Sequence, residues 1–145
     1  MSECLNVKIE KYKNNYLNLQ IMGQKEEFIA QMKVRTRKFG VDVIKFVETV
    51  KPCKAANPII YQIVKSSTSV GANYRACCRA RSQNEFFSKI CIVVEEADES
   101  EFWLEVILEA NLSTDEIELQ RLLTEASELI KITAAAKNST YNSKK

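Results

Sequence analysis

From Glu26 to Thr133 apolar side chains return every three or four residues, in four runs separated by short polar breaks. That spacing places each run on one face of a helix and leaves nothing for the alternating pattern of a half-buried strand. Only three Gly and two Pro occur in 145 residues. So few turn formers suit a few long helices joined by short links. The pattern predicts an all-α fold, an antiparallel up-and-down four-helix bundle.

The boundaries follow from local signals. The first well-patterned helix is expected from Glu26 to Val50, with Phe28, Ile29, Met32, Thr36, Phe39, Val43, Phe46, Val47 and Val50 inward, and Pro52 as its stop. Asn57 and Pro58 read as the cap and first residue of a second helix that extends to about Arg81. Its stripe is Ile60, Ile63, Val64, Ser67, Val70, Gly71, Tyr74 and Cys78. Ser82 and Glu85 form a capping box at the start of a third helix running to about Asn111, with Phe86, Ile90, Val93, Ala97, Ser100, Leu104 and Ile107 inside. A second box, Ser113 to Glu116, opens a fourth helix, carried by Leu119, Leu122, Leu123, Ala126, Leu129, Ile130 and Thr133. Residues 26–137 are thus the bundle, residues 1–25 an N-terminal extension expected to be partly ordered, and residues 138–145 a fraying tail.

One stretch within the second helix departs from ordinary helix composition. Ser66 to Asn73 is small and polar, and contains Gly71, which costs about 1 kcal/mol against Ala in a helix interior. Tolerance of that cost implies close approach by another helix. Ser69, Gly71, Ala72 and Asn73 are therefore candidate interface residues. Phe102 and Trp103, which fall partly outside the third helix's stripe, are candidates for a subunit contact.

Charge is unevenly distributed. Residues 1–81 hold 15 Lys/Arg against 6 Asp/Glu, a net +9, and residues 82–145 hold 6 against 13, a net −7. Two readings fit: the basic and acidic halves neutralise each other at the bundle rim or between subunits, or the basic side meets phosphate. Lys33, Arg35, Arg37 and Lys38 on the first helix, with Arg75, Arg79 and Arg81 on the second, are the candidate nucleic-acid-binding residues. Under the first reading these arginines pair with Glu95, Glu96, Asp98 and Glu99. No zinc finger, helix-turn-helix or aromatic RNA-binding signature is present, so binding would rest on backbone charge and shape.

No catalytic constellation stands out. The chain has no His, and the carboxylates from Glu95 to Glu101 would offer a metal oxygen ligands only. No enzyme activity, metal or cofactor is expected. The five cysteines, Cys77 and Cys78 adjacent among them, read as reduced small packing residues, with Cys78 nearer the core. No apolar run reaches the roughly 18 residues of a membrane span, and the N-terminus lacks a signal-peptide core, so a cytoplasmic protein with no membrane partner is expected.

Several segments in order carry a family likeness: Arg35-Thr36-Arg37-Lys38-Phe39, Ser69-Val70-Gly71-Ala72-Asn73-Tyr74-Arg75, Arg79-Ala80-Arg81-Ser82, Glu85-Phe86, and Glu96 to Glu99 with Phe102-Trp103-Leu104-Glu105. Between about Met32 and Ile132 the chain resembles the bacterial four-helix bundle proteins named after the 23S rRNA intervening sequence. Related bundles include the accessory variability determinant proteins of diversity-generating retroelements, which form pentameric rings and bind a reverse transcriptase and nucleic acid. The resemblance implies a homo-oligomer, a pentamer by that kinship, with RNA, DNA or a nucleic-acid enzyme as partner. Ala76 stands where relatives commonly carry Glu after the Tyr-Arg pair, so any role of that carboxylate is absent here.

Overall fold

The computed structural model describes residues 2–143, with side chains from residue 10 onward. Helix α1 spans Ser2–Phe46 and passes into a single 3-10 turn at Val47–Thr49. Helices α2 (Ala56–Cys77), α3 (Gln83–Glu109) and α4 (Glu116–Asn142) follow. The chain divides into two units, residues 1–32 and 33–145.

In the first unit the helix is already formed at Ser2, well before the expected start at Glu26. Its apolar side chains lie open: Tyr12, Tyr16, Leu17, Leu19, Ile21 and Met22 are all more than half exposed. Phe28 is 50% exposed, so the stripe expected to begin there becomes buried only at Met32.

The second unit is a four-helix bundle. Gly71 of α2 lies against the Thr36–Arg37 backbone of α1, and Gly40 of α1 lies against Ser67 and Thr68. Residue numbers rise on one helix as they fall on the other, so the pair is antiparallel. Arg35 meets Glu125 and Asp42 meets Arg121, which makes α1 and α4 antiparallel as well. The core is built from the expected stripes. Phe39, Val43 and Phe46 of α1 bury with Ile63 and Val70 of α2. Ile90, Val93, Ala97, Leu104 and Ile107 of α3, with Leu119, Leu122, Ala126 and Leu129 of α4, complete it. Phe86, Leu123 and Ile130 sit at its edge, half-buried. Buried hydroxyls find partners: Thr133 Oγ1 bonds to the Leu129 carbonyl at 2.7 Å, and Ser66 and Ser100 Oγ atoms meet at 3.0 Å across α2 and α3. Among the described residues no buried side-chain polar atom lacks a hydrogen bond.

The helix ends refine the sequence boundaries. Ser82 Oγ accepts the Glu85 N–H at 3.1 Å as expected, but the Glu85 carboxylate accepts the Arg81 N–H at 2.9 Å rather than that of Ser82. At α4 the cap is Asp115, whose carboxylate accepts the Glu118 N–H at 3.0 Å. Ser113 instead accepts the Asp115 N–H and is buried. Helix α2 begins at Ala56 with no side-chain cap, so Asn57 is inside the helix and Pro58 is its third residue. A proline is tolerated there because the N–H groups of the first turn have no intrahelical acceptor. Helix α3 stops at Glu109, where Asn111 takes a left-handed φ of 51° and the Leu112 N–H reaches back to the Ile107 carbonyl at 3.0 Å. This is a Schellman closure with Asn in the position usually taken by Gly.

Two loops meet at one end of the bundle. The Lys51 N–H donates to the Leu112 carbonyl at 2.7 Å, and Thr114 donates through its N–H and its hydroxyl to the Thr49 carbonyl at 3.2 and 2.7 Å. At the other end the α2–α3 link, Cys78 to Ser82, lies near the end of α4, where Gln83 Nε2 donates to Ser143 Oγ at 2.6 Å.

Candidate functional site

The close crossing of α1 and α2 is set by two glycines. A Cβ on Gly71 would stand 3.1 Å from the Thr36 carbonyl oxygen, and one on Gly40 would stand 3.2 Å from the Ser67 oxygen. Both obstacles are backbone, so neither helix can yield locally. The small-residue stretch thus serves a contact within the chain, between α2 and α1. Of the other candidate interface residues on α2, Ser69 and Asn73 are half-buried, with Asn73 Nδ2 bonded to the Ser69 carbonyl at 2.9 Å, and Ala72 is exposed.

Outside this crossing runs a groove of about 550 Å³. Four cations line it: Lys33 and Arg37 from α1, Arg75 from α2, and Arg79 from the link after α2, which ends at Cys77 rather than near Arg81. Gly40, Gly71, Ala72 and Thr68 form its middle, and Val41 and Ile44 its other end. Lys33 and Arg37 are spaced i, i+4, which stacks them on one side of α1. All four side chains are exposed, and among the described residues none forms an ion pair. Among the described residues no carboxylate lines the groove.

The remaining candidate cations are engaged elsewhere. Arg35 turns to α4, where its Nε and Nη2 bond the two Glu125 oxygens at 2.6 and 2.8 Å and Nη2 also bonds Glu128. The Glu125 bonds raise the already high Arg35 pKa, so this charge is fixed in place. Lys38 Nζ bonds Asp42 at 2.5 Å, and Asp42 is shared with Arg121 at 2.7 Å. Arg81 is 90% exposed and reaches Glu85 at 3.4 Å. Arg35, Lys38 and Arg81 thus each have a carboxylate partner, unlike the four cations of the groove. The pairing of the arginines with Glu95, Glu96, Asp98 and Glu99 does not form.

The acidic side of α3 has few compensating cations. Burial, then the neighbouring Glu99, raises the Glu96 carboxyl above its ordinary range, and burial, then Glu105, does the same at Glu101. Phe102 is 53% exposed and stacks edge-on to Trp103 at 5.0 Å, while Trp103 Nε1 donates to Glu99 at 3.2 Å. Among the described residues no group of three or more His, Cys, Asp or Glu side chains is arranged to hold a metal.

The cysteine phase differs from expectation. Cys77 is the buried one and Cys78 is half-buried. Burial, reinforced by Cys78, pushes the Cys77 thiol up to about 11, and burial raises Cys78 as well. Both shifts disfavour the thiolate form. Among the described residues no helix is long and apolar enough to cross a membrane.

Gly40, Val41, Ile44 and Thr68 are the groove residues that sequence reasoning missed. A signal for Gly40 was present: like Gly71 it is a glycine inside an amphipathic helix, and one on each of two helices expected to be antiparallel neighbours marks a close crossing between them.

The chain has clear relatives. The sequence profile of the 23S rRNA-intervening sequence protein matches residues 30–135. Comparison with solved structures finds a protein of unknown function from the S23 ribosomal protein family of Bacteroides thetaiotaomicron. It is 26% identical with a TM-score of 0.63, over 73% of this chain and 97% of that one. Comparison with functionally curated proteins gives no match.

Proposed function

The chain belongs to the 23S rRNA-intervening sequence protein family, and from that premise we propose that it is a non-enzymatic interaction module whose α1–α2 groove binds the backbone of RNA or DNA. One observation carries this reading: four cations line a single groove and among the described residues no carboxylate pairs with them, while Arg35 and Lys38 of α1 are paired. Clustered unpaired guanidinium groups attract phosphate, and displacement of counterions makes such binding salt-dependent. In this proposal the module acts as a cytoplasmic homo-oligomer, a pentamer if its resemblance to the accessory variability determinant proteins extends to assembly. The same resemblance suggests a nucleic-acid enzyme, such as a reverse transcriptase, as a protein partner.

The test is a titration of labelled single-stranded RNA at several salt concentrations. Wild type should bind with an affinity that falls as salt rises. A variant with Lys33, Arg37, Arg75 and Arg79 all changed to Gln should lose that binding, and Arg35→Gln should not. Equal binding by wild type and the fourfold variant would discard the groove as the site.

A structural homo-oligomer with no nucleic-acid role is the second reading. It is favoured by the exposed Phe102 and Ile92 on the acid-rich side of α3. Light scattering should give a mass well above the 16.6 kDa of one chain. A mass of one chain at micromolar concentration would remove the oligomer from both readings.

A further inference from the structure

The groove holds more than charge. By the register in which Gly71 faces Thr36–Arg37 and Gly40 faces Ser67–Thr68, Arg75 falls level with Lys33. The helical cations then stand at two levels, Lys33 with Arg75 and then Arg37, about 6 Å apart for four residues of helix, and Arg79, in the link just past α2, continues the set beyond Arg75. Successive phosphates of an extended strand repeat on a similar scale. Past Arg37 the lining becomes aliphatic, with Val41 42% and Ile44 46% exposed. An anion alone leaves that end of the groove unused.

We infer that the groove is built for an unpaired strand, three successive phosphates lying along Arg79, the Lys33–Arg75 level and Arg37, and an adjoining base resting on Val41 and Ile44. The inference rests on the nucleic-acid reading above and narrows it. A duplex keeps its base faces inside the stack, so it offers the aliphatic end nothing. It is also broader than a groove between two packed helices, whose axes lie roughly 8–10 Å apart. An unpaired nucleotide presents both a phosphate and an open base face. Three of the four cations are Arg, whose planar fork bonds two phosphate oxygens at once. The base contact is aliphatic and makes no hydrogen-bond readout, so it tolerates any base.

The experiment compares a labelled RNA of roughly 12 nucleotides, alone and annealed to its complement, against the full chain. The single strand should bind about tenfold more tightly than the duplex, the gain expected from one base contact. Its log affinity should fall against log salt with a slope near −2 per groove, about 0.7 for each of three phosphates. Val41→Ser with Ile44→Ser, both at exposed positions, should remove most of the preference and leave the slope unchanged. Equal affinity for the two RNAs, or a silent double variant, overturns the unpaired-strand inference and leaves backbone binding standing. If neither RNA binds, both fail. A wild-type oligomer that binds no RNA and dissociates in Arg37→Gln with Arg75→Gln would assign the groove to a second copy of the chain, which also overturns the inference.

Discussion

Helix α1 carries two basic surfaces of opposite character. Toward α4, Arg35 is locked into Glu125 and Glu128, and Asp42 is shared by Lys38 and Arg121. Toward α2, Lys33 and Arg37 join Arg75 and Arg79 along a groove that no carboxylate lines. The cations are of the same types and only a few residues apart. The phase of the helix decides which of them is structural and which is open to a ligand.

The largest effect should come from forcing the α1–α2 crossing apart. Gly71→Leu drives a side chain into the Thr36–Arg37 backbone, and overpacking of this kind typically costs about 1–3 kcal/mol. The thermal midpoint should drop by several degrees. Gly23→Ala is the counterpart: nothing lies within 4 Å of its added Cβ, so removing a helical glycine should stabilise by up to about 1 kcal/mol. A rise for both variants would refute the close crossing.

Next in size is the binding contrast. Arg75→Gln with Arg79→Gln should weaken RNA binding about tenfold or more at low salt and shallow the salt slope by about 0.7 for each phosphate no longer neutralised. Circular dichroism melting should remain within about 0.5 kcal/mol of wild type, as for surface substitutions.

The opposite pattern is expected on the α4 side. Arg35→Gln removes a part-buried, bidentate pair and should cost about 1 kcal/mol of stability by urea titration, with RNA affinity little changed. If Arg35→Gln instead weakens RNA binding as strongly as Arg37→Gln, the two surfaces are not distinct.

The smallest effect is a pH dependence at Asp42. Burial works to raise its carboxyl, but hydrogen bonds from Lys38 and Arg121 outweigh burial and hold it below the ordinary range. A depressed folded-state pKa contributes stability that is present above the unfolded value and lost as pH falls through the folded one. Acid unfolding followed from neutral pH downward should therefore be shallower in Asp42→Asn, by a few tenths of a kcal/mol for a surface-type pair.

How much of this was legible in the sequence differs between the two surfaces. The four helices and most of their core could be read, because Ile90, Val93, Ala97 and Leu104 or Leu119, Leu122, Ala126 and Leu129 repeat at helical spacing, and local spacing determines the buried face. Gly71 announced a close approach, though not which helix made it. The partner of Arg35 lies 90 residues away on α4, and no local pattern links them. Charge counts could therefore locate a basic half but could not separate Arg35, Lys38 and Arg81 from the four cations of the groove. Helix ends were also harder to place, since Asp115 and Ser113 are both good caps and the path of the chain decides which one serves.

The two ends of the bundle are fastened unequally. At the Pro52 end, two backbone bonds and the Thr114 hydroxyl stitch the α1–α2 and α3–α4 loops together. At the opposite end, where Arg79 and Lys33 lie, no backbone bond joins loops among the described residues: Gln83 and Ser143 join through an exposed side-chain bond, and the Phe87 and Tyr141 rings meet at 6.1 Å. Thermal breathing should then work like a zipper with its slider fixed at the Pro52 end. Amide exchange should be fastest around Cys78 to Ser82 and slowest around Lys51 and Thr114. A strand threading into the groove would enter from the end that breathes.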